Sequence, residues 1–147
     1  MQLISASLEQ ITQLDSACFA DPYPLSIWAR YVEQPQRFSL IAFELNRILV
    51  GYACFSVLLP EAELLRVGVI PNSRGQGVAK RGLKQAQKQL ADLGVDRVLL
   101  EVSRSNTAAL KVYQRLGYTQ DGIRPAYYKA TPDSPAEDAI LMSLSLT

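Results

Sequence analysis

Histidine is absent from the 147 residues. With it go histidine-based acid–base chemistry, serine and cysteine triads and most zinc sites. Any catalysis must then rest on Glu, Asp, Tyr, Ser, Lys, Arg or the backbone. Cysteine occurs only twice, as Cys18 and Cys54, each in an apolar context. That reads as two buried free thiols in a reducing, cytoplasmic setting rather than a disulfide framework. No apolar run reaches the roughly 20 residues needed to span a membrane, and Met1-Gln2-Leu3 does not open a signal peptide. An excess of one charge is missing too: 15 basic residues meet 14 acidic ones, for a net charge of +1. Without a basic run, the chain is not built to hold nucleic acid mainly by electrostatics.

What is present is enough apolar material, 48% of the residues, to build a sizeable core. The length suits a single domain over residues 1–147. Gln2 to Ala6 reads as a short strand. Ser7-Leu8-Glu9-Gln10 reads as a capping box, and Leu8, Ile11, Leu14 and Cys18 then share one helical face. Asp21-Pro22-Tyr23-Pro24-Leu25 breaks that helix, and Ser26 is expected to cap a second one ending near Glu33. Phe38–Glu44 and Ile48–Leu59 form a hairpin around Asn46-Arg47. Glu61–Ile70 is the next strand, ended by Pro71-Asn72. A long helix follows, roughly Gly77 to Leu93, with Val78, Leu83, Ala86, Leu90 and Leu93 on its apolar face and Gly94 as a left-handed cap. In the strand Arg97–Ser103, the consecutive apolar residues Val98, Leu99 and Leu100 predict burial on both faces. Asn106 caps a helix over Thr107–Leu116, closed by Gly117. Tyr118–Ile123 and Ala139–Leu144 are the closing strands, with Arg124–Asp138 expected as a loop. The order is βααβββαβαββ, with a strand–helix–strand crossover inside a mainly antiparallel sheet.

The segment Arg74-Gly75-Gln76-Gly77-Val78-Ala79 lies at the junction of a strand and the long helix. Two glycines there let successive N–H groups converge at the positive end of a helix dipole, with Arg74 and Lys80 nearby. The arrangement suits a pyrophosphate. It is neither a Walker loop, which needs Gly-x-x-x-x-Gly-Lys-Ser/Thr, nor a dinucleotide fingerprint, since Lys80 stands where the third glycine belongs. Taken alone, a glycine turn before a helix is more often structural than functional.

Three further residues join the turn at one sheet edge: Glu101 on the following strand, Asn106 at the next helix start, and Tyr113 two turns along that helix. In this order the chain resembles the GNAT superfamily of acyl-CoA-dependent N-acyltransferases. The resemblance is carried by Leu65-Arg66-Val67-Gly68-Val69, the glycine turn, Leu100-Glu101-Val102, Asn106 to Tyr113 and Leu116-Gly117-Tyr118. It implies an α+β (mixed α/β) three-layer fold: a mostly antiparallel mixed sheet of about seven strands, a central βαβ unit and about four helices. Leu100–Asn106, Ile123–Tyr128 and Glu137–Met142 resemble more narrowly the ribosomal-protein-alanine N-acetyltransferases, a family that acetylates the N-terminal alanine of a small-subunit ribosomal protein. The chain departs from that family at Leu25, where tryptophan is usual, at Arg66, where asparagine is common, and at Ala79, where glycine is more usual. The first two positions bear on the acceptor more than on the reaction.

The implied co-substrate is acetyl-CoA, with no metal. The implied acceptor is a protein or peptide N-terminus, and neither nucleic acid nor membrane is a partner. A free α-amine, with a pKa of about 8, must lose a proton before it attacks a thioester. Glu101 is the candidate base, directly or through water. A backbone N–H near Val67 to Val69 can stabilise the oxyanion, and Tyr113 serves as general acid or thiolate stabiliser. By resemblance, the pantetheine arm lies along Val67, Gly68 and Val69. The pyrophosphate sits on Arg74, Gly75, Gln76, Gly77, Val78, Ala79 and Lys80, and Asn106 touches the cofactor arm. Glu61, Arg124, Tyr127 and Tyr128 are candidate acceptor-site residues, and Glu61 and Glu63 are rival bases or ligands of the acceptor amine. Each has a plainer reading: Tyr113 as a core aromatic, Asn106 as a cap alone, Glu101 as a strand carboxylate paired with an arginine, Arg124, Tyr127 and Tyr128 as an ordinary folded loop. Two other functions stay open: acetylation of a small amine (polyamine, aminoglycoside or amino acid), and a non-catalytic acyl-CoA sensor.

Overall fold

The computed structural model describes residues 1–147. Strands β1 (Gln2–Ser5), β2 (Phe38–Leu45), β3 (Ile48–Leu58), β4 (Glu61–Val69), β5 (Arg97–Ser103), β6 (Thr119–Tyr128) and β7 (Glu137–Ser145) alternate with helices α1 (Leu8–Cys18), α2 (Leu25–Val32), α3 (Val78–Asp92) and α4 (Thr107–Leu116). The strands form one sheet in the order β1-β2-β3-β4-β5-β7-β6. Only β4 and β5 pair in parallel, with α3 between them in the chain. The expected element order and sheet are thus present.

Strand alternation divides the side chains between two layers. Leu40 and Ala42 of β2, with Tyr52 and Cys54 of β3, pack with Ile11, Leu14 and Cys18 of α1 and Trp28 of α2. Ile41, Phe43, Ala53 and Phe55 point the other way and meet Val78, Leu83, Ala86 and Leu90 of α3. Local signals set the ends of these elements. Ser7 and Gln10 form the reciprocal capping box, and Asn46 and Arg47 take φ of 51° and 66° in the hairpin turn. Gly82 lets α3 lie close on β2, since a Cβ there would come within 2.5 Å of the Phe43 ring.

Some expectations need correction. The second helix begins at Leu25 with Pro24 at its cap and no side-chain cap bond, so Ser26 lies inside it. Leu93 is 67% exposed rather than part of the apolar face, because α3 ends at Asp92 and the chain turns out through Gly94 at φ 104°. In β5, Val98 and Leu100 are buried while Leu99 is only half-buried, because no helix packs over its face at that end of the sheet. The segment Arg124–Asp138 is loop only over residues 129–136: β6 runs on to Tyr128 and β7 starts at Glu137. Pro125 and a left-handed Ala126 (φ 49°) had masked the strand signal.

One irregularity positions the site. Phe55 pairs with Leu64 and Cys54 with Arg66, so Leu65 is an extra residue that bulges β4. The β4–β5 pairing covers only Glu61–Leu64 against Arg97–Leu100. Beyond the bulge both strands continue, β4 to Val69 and β5 to Ser103, without bonding each other. The sheet therefore opens as a wedge between its two central strands.

Candidate active site

The wedge leaves a row of β4 backbone groups without a strand partner. The Ile70 N–H donates to Val50 O. By strand alternation, the peptide groups of Val67 and Val69 then face away from β3 and into the wedge. Gly68, between them, passes beneath α1, where a Cβ would come within 2.9 Å of both Cys18 Cβ and the Phe19 ring.

The glycine turn closes one end of this row. Gly75 and Gly77 have φ of 77° and 75°, and a Cβ at either would meet nothing within 4 Å. Their requirement is conformational, and the space beside them is open. Gly77 is the cap residue of α3 and no side chain caps the helix. The first α3 amide bonded to the protein is that of Arg81, to Gly77 O. The amides before it at the helix start point outward as free donors, reinforced by the dipole of a 15-residue helix. Arg74 is used differently from a free phosphate cation. Its Nε donates to Val69 O at 2.9 Å and its Nη2 to Cys18 O at 2.8 Å. The Gln76 side chain turns back to Asn72 O at 3.4 Å.

These groups border a cavity of about 660 Å³. Its wall includes Val67, Gly68, Val69, Arg74, Gly75, Gly77, Val78, Ala79 and Lys80 on one side, and Asn106 and Tyr113 on the other. Two helix starts thus face one space. Asn106 Oδ1 accepts from the Ala109 N–H at 3.2 Å, which leaves its side-chain NH2 free for a ligand. Tyr113, buried within α4, stands 5.7 Å from the Tyr118 ring. Burial, with Tyr128 adding to it, pushes its hydroxyl up to about 12, so at neutral pH it is a proton donor. A 660 Å³ apolar cleft with free N–H donors at one end and an exposed strand edge along it fits the long, phosphate-ended arm of an acyl-CoA.

Glu101 lies on the opposite face of the sheet from Tyr113, because Val98, Leu100 and Val102 take the face packed with α3 and α4. It forms an ion pair with Arg124, Nη2 to Oε1 at 3.3 Å. Glu63 is close by: burial raises its pKa, Glu101 raises it further and Arg124 opposes them. Tyr128 belongs to the same group, its pKa raised by burial and then by Glu101. The Tyr127 ring lies 5.3 Å from Tyr128 and 5.4 Å from the Arg124 guanidinium. Glu61 is not brought to this place. It sits at the closed end of the β4–β5 pairing, about 20 Å along β4 from Val67, with its carboxylate 3.4 Å from Arg97.

The sequence reading missed Asp15. It is fully buried and accepts hydrogen bonds from the Tyr23 N–H (2.7 Å), Trp28 Nε1 (3.0 Å) and the Tyr52 hydroxyl (2.5 Å). Arg66 pairs with it at 3.5 Å, held between the rings of Phe19 and Tyr23 at 4.0 and 4.4 Å. A carboxylate set among Ile11, Leu14 and Cys18 on an apolar helix face was the available signal. Cys18, Phe19, Ala108, Ala109 and Val112 also line the cavity, and nothing local marks them. No group of three or more Cys, Asp or Glu side chains is placed to hold a metal ion, and no helix is long and apolar enough to cross a membrane.

Comparison with known proteins agrees with this fold. The model of the acetyltransferase (GNAT) family matches residues 8–118. A [ribosomal protein bS18]-alanine N-acetyltransferase from Haemophilus ducreyi is 39% identical over 98 residues, 67% of each chain. Its counterpart from Escherichia coli K12 is 32% identical over 128 residues, 87% of this chain and 85% of that one. The crystal structure of the ribosomal-protein-S18-alanine N-acetyltransferase from Escherichia coli superposes with a TM-score of 0.88 at 30% identity, covering 99% of this chain and 94% of that one. A Salmonella typhimurium protein described with its cofactor acetyl-CoA shares the fold, at a TM-score of 0.81 and 17% identity, over 100% of this chain and 94% of that one.

Proposed function

The chain belongs to the acetyltransferase (GNAT) family and is an acetyl-CoA-dependent N-acetyltransferase, and we propose that its acceptor is the α-amine of a protein N-terminus, an alanine of a small-subunit ribosomal protein. The observation that carries this reading is the wedge. It opens between a cavity suited to acetyl-CoA, where Tyr113 waits as a neutral donor, and an open sheet face where Glu101 sits. The names of the relatives, alanine N-acetyltransferases of ribosomal protein bS18, supply the acceptor class.

In this reading the amides at the start of α3 hold the pyrophosphate, and the peptide groups of Val67 and Val69 bond the pantetheine arm as an added strand would. Asn106 donates its side-chain amide to the same arm. Glu101 takes a proton from the acceptor ammonium, directly or through water. The amine attacks the thioester carbonyl, and a β4 backbone N–H stabilises the developing oxyanion. Tyr113 then donates to the departing sulfur. A phenol is a weaker acid than a thiol, so the proton moves in concert with C–S cleavage, or the hydroxyl stabilises the thiolate by hydrogen bonding alone. Transfer is direct, since neither thiol is activated: burial pushes Cys18, although it lines the cavity, up to about 11 and Cys54 to about 12, so both stay protonated at neutral pH. The whole chain acts as one acyltransferase domain, in the reducing cytoplasm that suits two free thiols.

The test is acetyl transfer from acetyl-CoA to a hexapeptide beginning with alanine, against an N-terminally blocked copy. Transfer to the free peptide alone is expected. Turnover of a polyamine or aminoglycoside with none of the peptide would overturn the acceptor assignment, and cofactor binding without any transfer would overturn catalysis.

A further inference from the structure

The geometry points to Arg124 as a stand-in for the acceptor ammonium, occupying Glu101 between turnovers; the inference rests on Glu101 being the base proposed above. The two partners of this ion pair are held unequally. Glu101 is on a central strand with its side chain 22% exposed, while Arg124 is 54% exposed on the edge strand β6. The β6–β7 register breaks just beyond it. Arg124 pairs with Ala139 and Tyr128 with Glu137, so Pro125, Ala126 and Tyr127 stand against Asp138 alone. Arg124 is thus rooted at the edge of a bulge, and the Tyr127 ring offers its guanidinium a second resting place. The carboxylate is the fixed member and the cation the movable one.

The site needs such a cation. Glu63 of β4 and Glu101 of β5 face each other closely enough that Glu101 raises the pKa of Glu63, and Arg124 opposes that rise. Tyr128 of β6 lies beside Glu101 and is neutral in the physiological range. On β7, Glu137 is taken up by Ser103 and Ser105, and Asp138 by Arg104 and the Ala126 N–H. Two other arginines on this face are committed elsewhere, Arg97 to Glu61 and Asp121 at the closed end of the sheet and Arg66 to Asp15 and Asp21. Without acceptor, Arg124 is the counter-ion of the Glu63–Glu101 pair.

An incoming α-ammonium carries the same charge and can displace it. The ammonium has three protons. One passes to Glu101 and on to solvent, one passes to the thiolate that leaves when the C–S bond breaks, and one stays on the amide nitrogen as the C–N bond forms. The acetylated product is uncharged and has no claim on Glu101. Arg124 then returns, and the product leaves. The same exchange favours cationic acceptors and keeps Glu101 from activating water against the thioester when no acceptor is present.

The experiment compares wild type with Arg124→Gln and Arg124→Lys. It measures kcat and KM for the alanine peptide, and the peptide Kd by calorimetry with CoA present. Removing the competitor is expected to tighten peptide binding in Arg124→Gln about 3- to 10-fold, with Arg124→Lys close to wild type. The gain should vanish in the Glu101→Gln background. Weaker binding in Arg124→Gln would mean that Arg124 grips the peptide, and unchanged binding would mean a static surface pair; either overturns the inference. Failure of the base assignment shows separately, as a Glu101→Gln enzyme with undiminished kcat.

Discussion

Arg74 donates to the carbonyl of Cys18, the last residue of α1, at 2.8 Å, and with the same guanidinium to Val69 O, the last residue of β4, at 2.9 Å. One side chain thus fastens the first helix to the strand edge that borders the cavity. The role depends on two divergent N–H groups in a planar fork, which lysine does not have.

Arg74→Lys keeps the charge and loses the fork. If the fork matters, Arg74→Lys should behave like Arg74→Ala, with KM for acetyl-CoA raised about tenfold and stability reduced by about 1–3 kcal/mol. Steady-state kinetics with acetyl-CoA as the varied substrate, together with urea unfolding, decides this. A lysine variant with wild-type KM would show that Arg74 acts as a simple phosphate cation.

Tyr113→Phe removes the hydroxyl and keeps the ring packed beside Tyr118. The expected loss is in kcat, about 100-fold or more, as for removal of a general acid. Acetyl-CoA affinity should be unchanged, since the ring and the cavity wall remain. Glu101→Gln should lower kcat by a similar factor. Pre-steady-state quench with equilibrium CoA binding separates these effects; a Phe variant with wild-type kcat would return Tyr113 to the role of core aromatic.

Asp15→Asn is isosteric but leaves Arg66 without its buried partner. Arg66 Nη1 already has no hydrogen-bond acceptor. Arg66 keeps only the exposed Asp21 at 3.5 Å, and stranding a buried charge costs about 3–5 kcal/mol; the new amide NH2 must also face either the Tyr52 hydroxyl at Oδ1 or the Trp28 and Tyr23 N–H donors at Oδ2. The melting temperature should fall steeply, measured by calorimetry. A shift of only a degree or two would mean that solvent reaches Arg66.

Stability should also fall at alkaline pH. The folded-state pKa of Tyr113 is raised from 10 to about 12, mainly by burial, and Tyr118 and Tyr52 shift in the same direction. A group with a raised folded pKa contributes stability that is complete below its unfolded value and is lost as pH climbs through the folded one. The window therefore opens at about pH 10 and extends past pH 12, with Tyr113 accounting for about 2–3 kcal/mol. Denaturant titrations from pH 8 to 11.5 should show a falling midpoint above pH 10, and a flat profile would contradict the burial argument.

Much of the fold is legible in the chain because its signals are local. Ser7 and Gln10 announce α1, Asn46-Arg47 the hairpin, and Asn106 and Gly117 the ends of α4, each through the backbone conformation or hydrogen bond that its own side chain favours. The glycine turn is legible for the same reason, since Gly75 and Gly77 are needed for φ above +70°. The β6 extension was not, because Pro125 and Ala126 look like a loop until β7 pairs alongside.

The sequence by itself determined the chemistry available: no histidine, a carboxylate and a phenol in the right order, a helix start free to bind an anion, and the family those residues spell. It determined the order of elements, because caps, turns and hydrophobic period act over a few residues. Only the tertiary structure decided how these parts are used. The bulge at Leu65 splits β4 from β5, Arg74 is drawn to backbone carbonyls, Glu61 is left at the closed end with Arg97, and Arg124 is set against Glu101. Those outcomes depend on register and on pairings between residues tens of positions apart, and no single segment of chain carries that information.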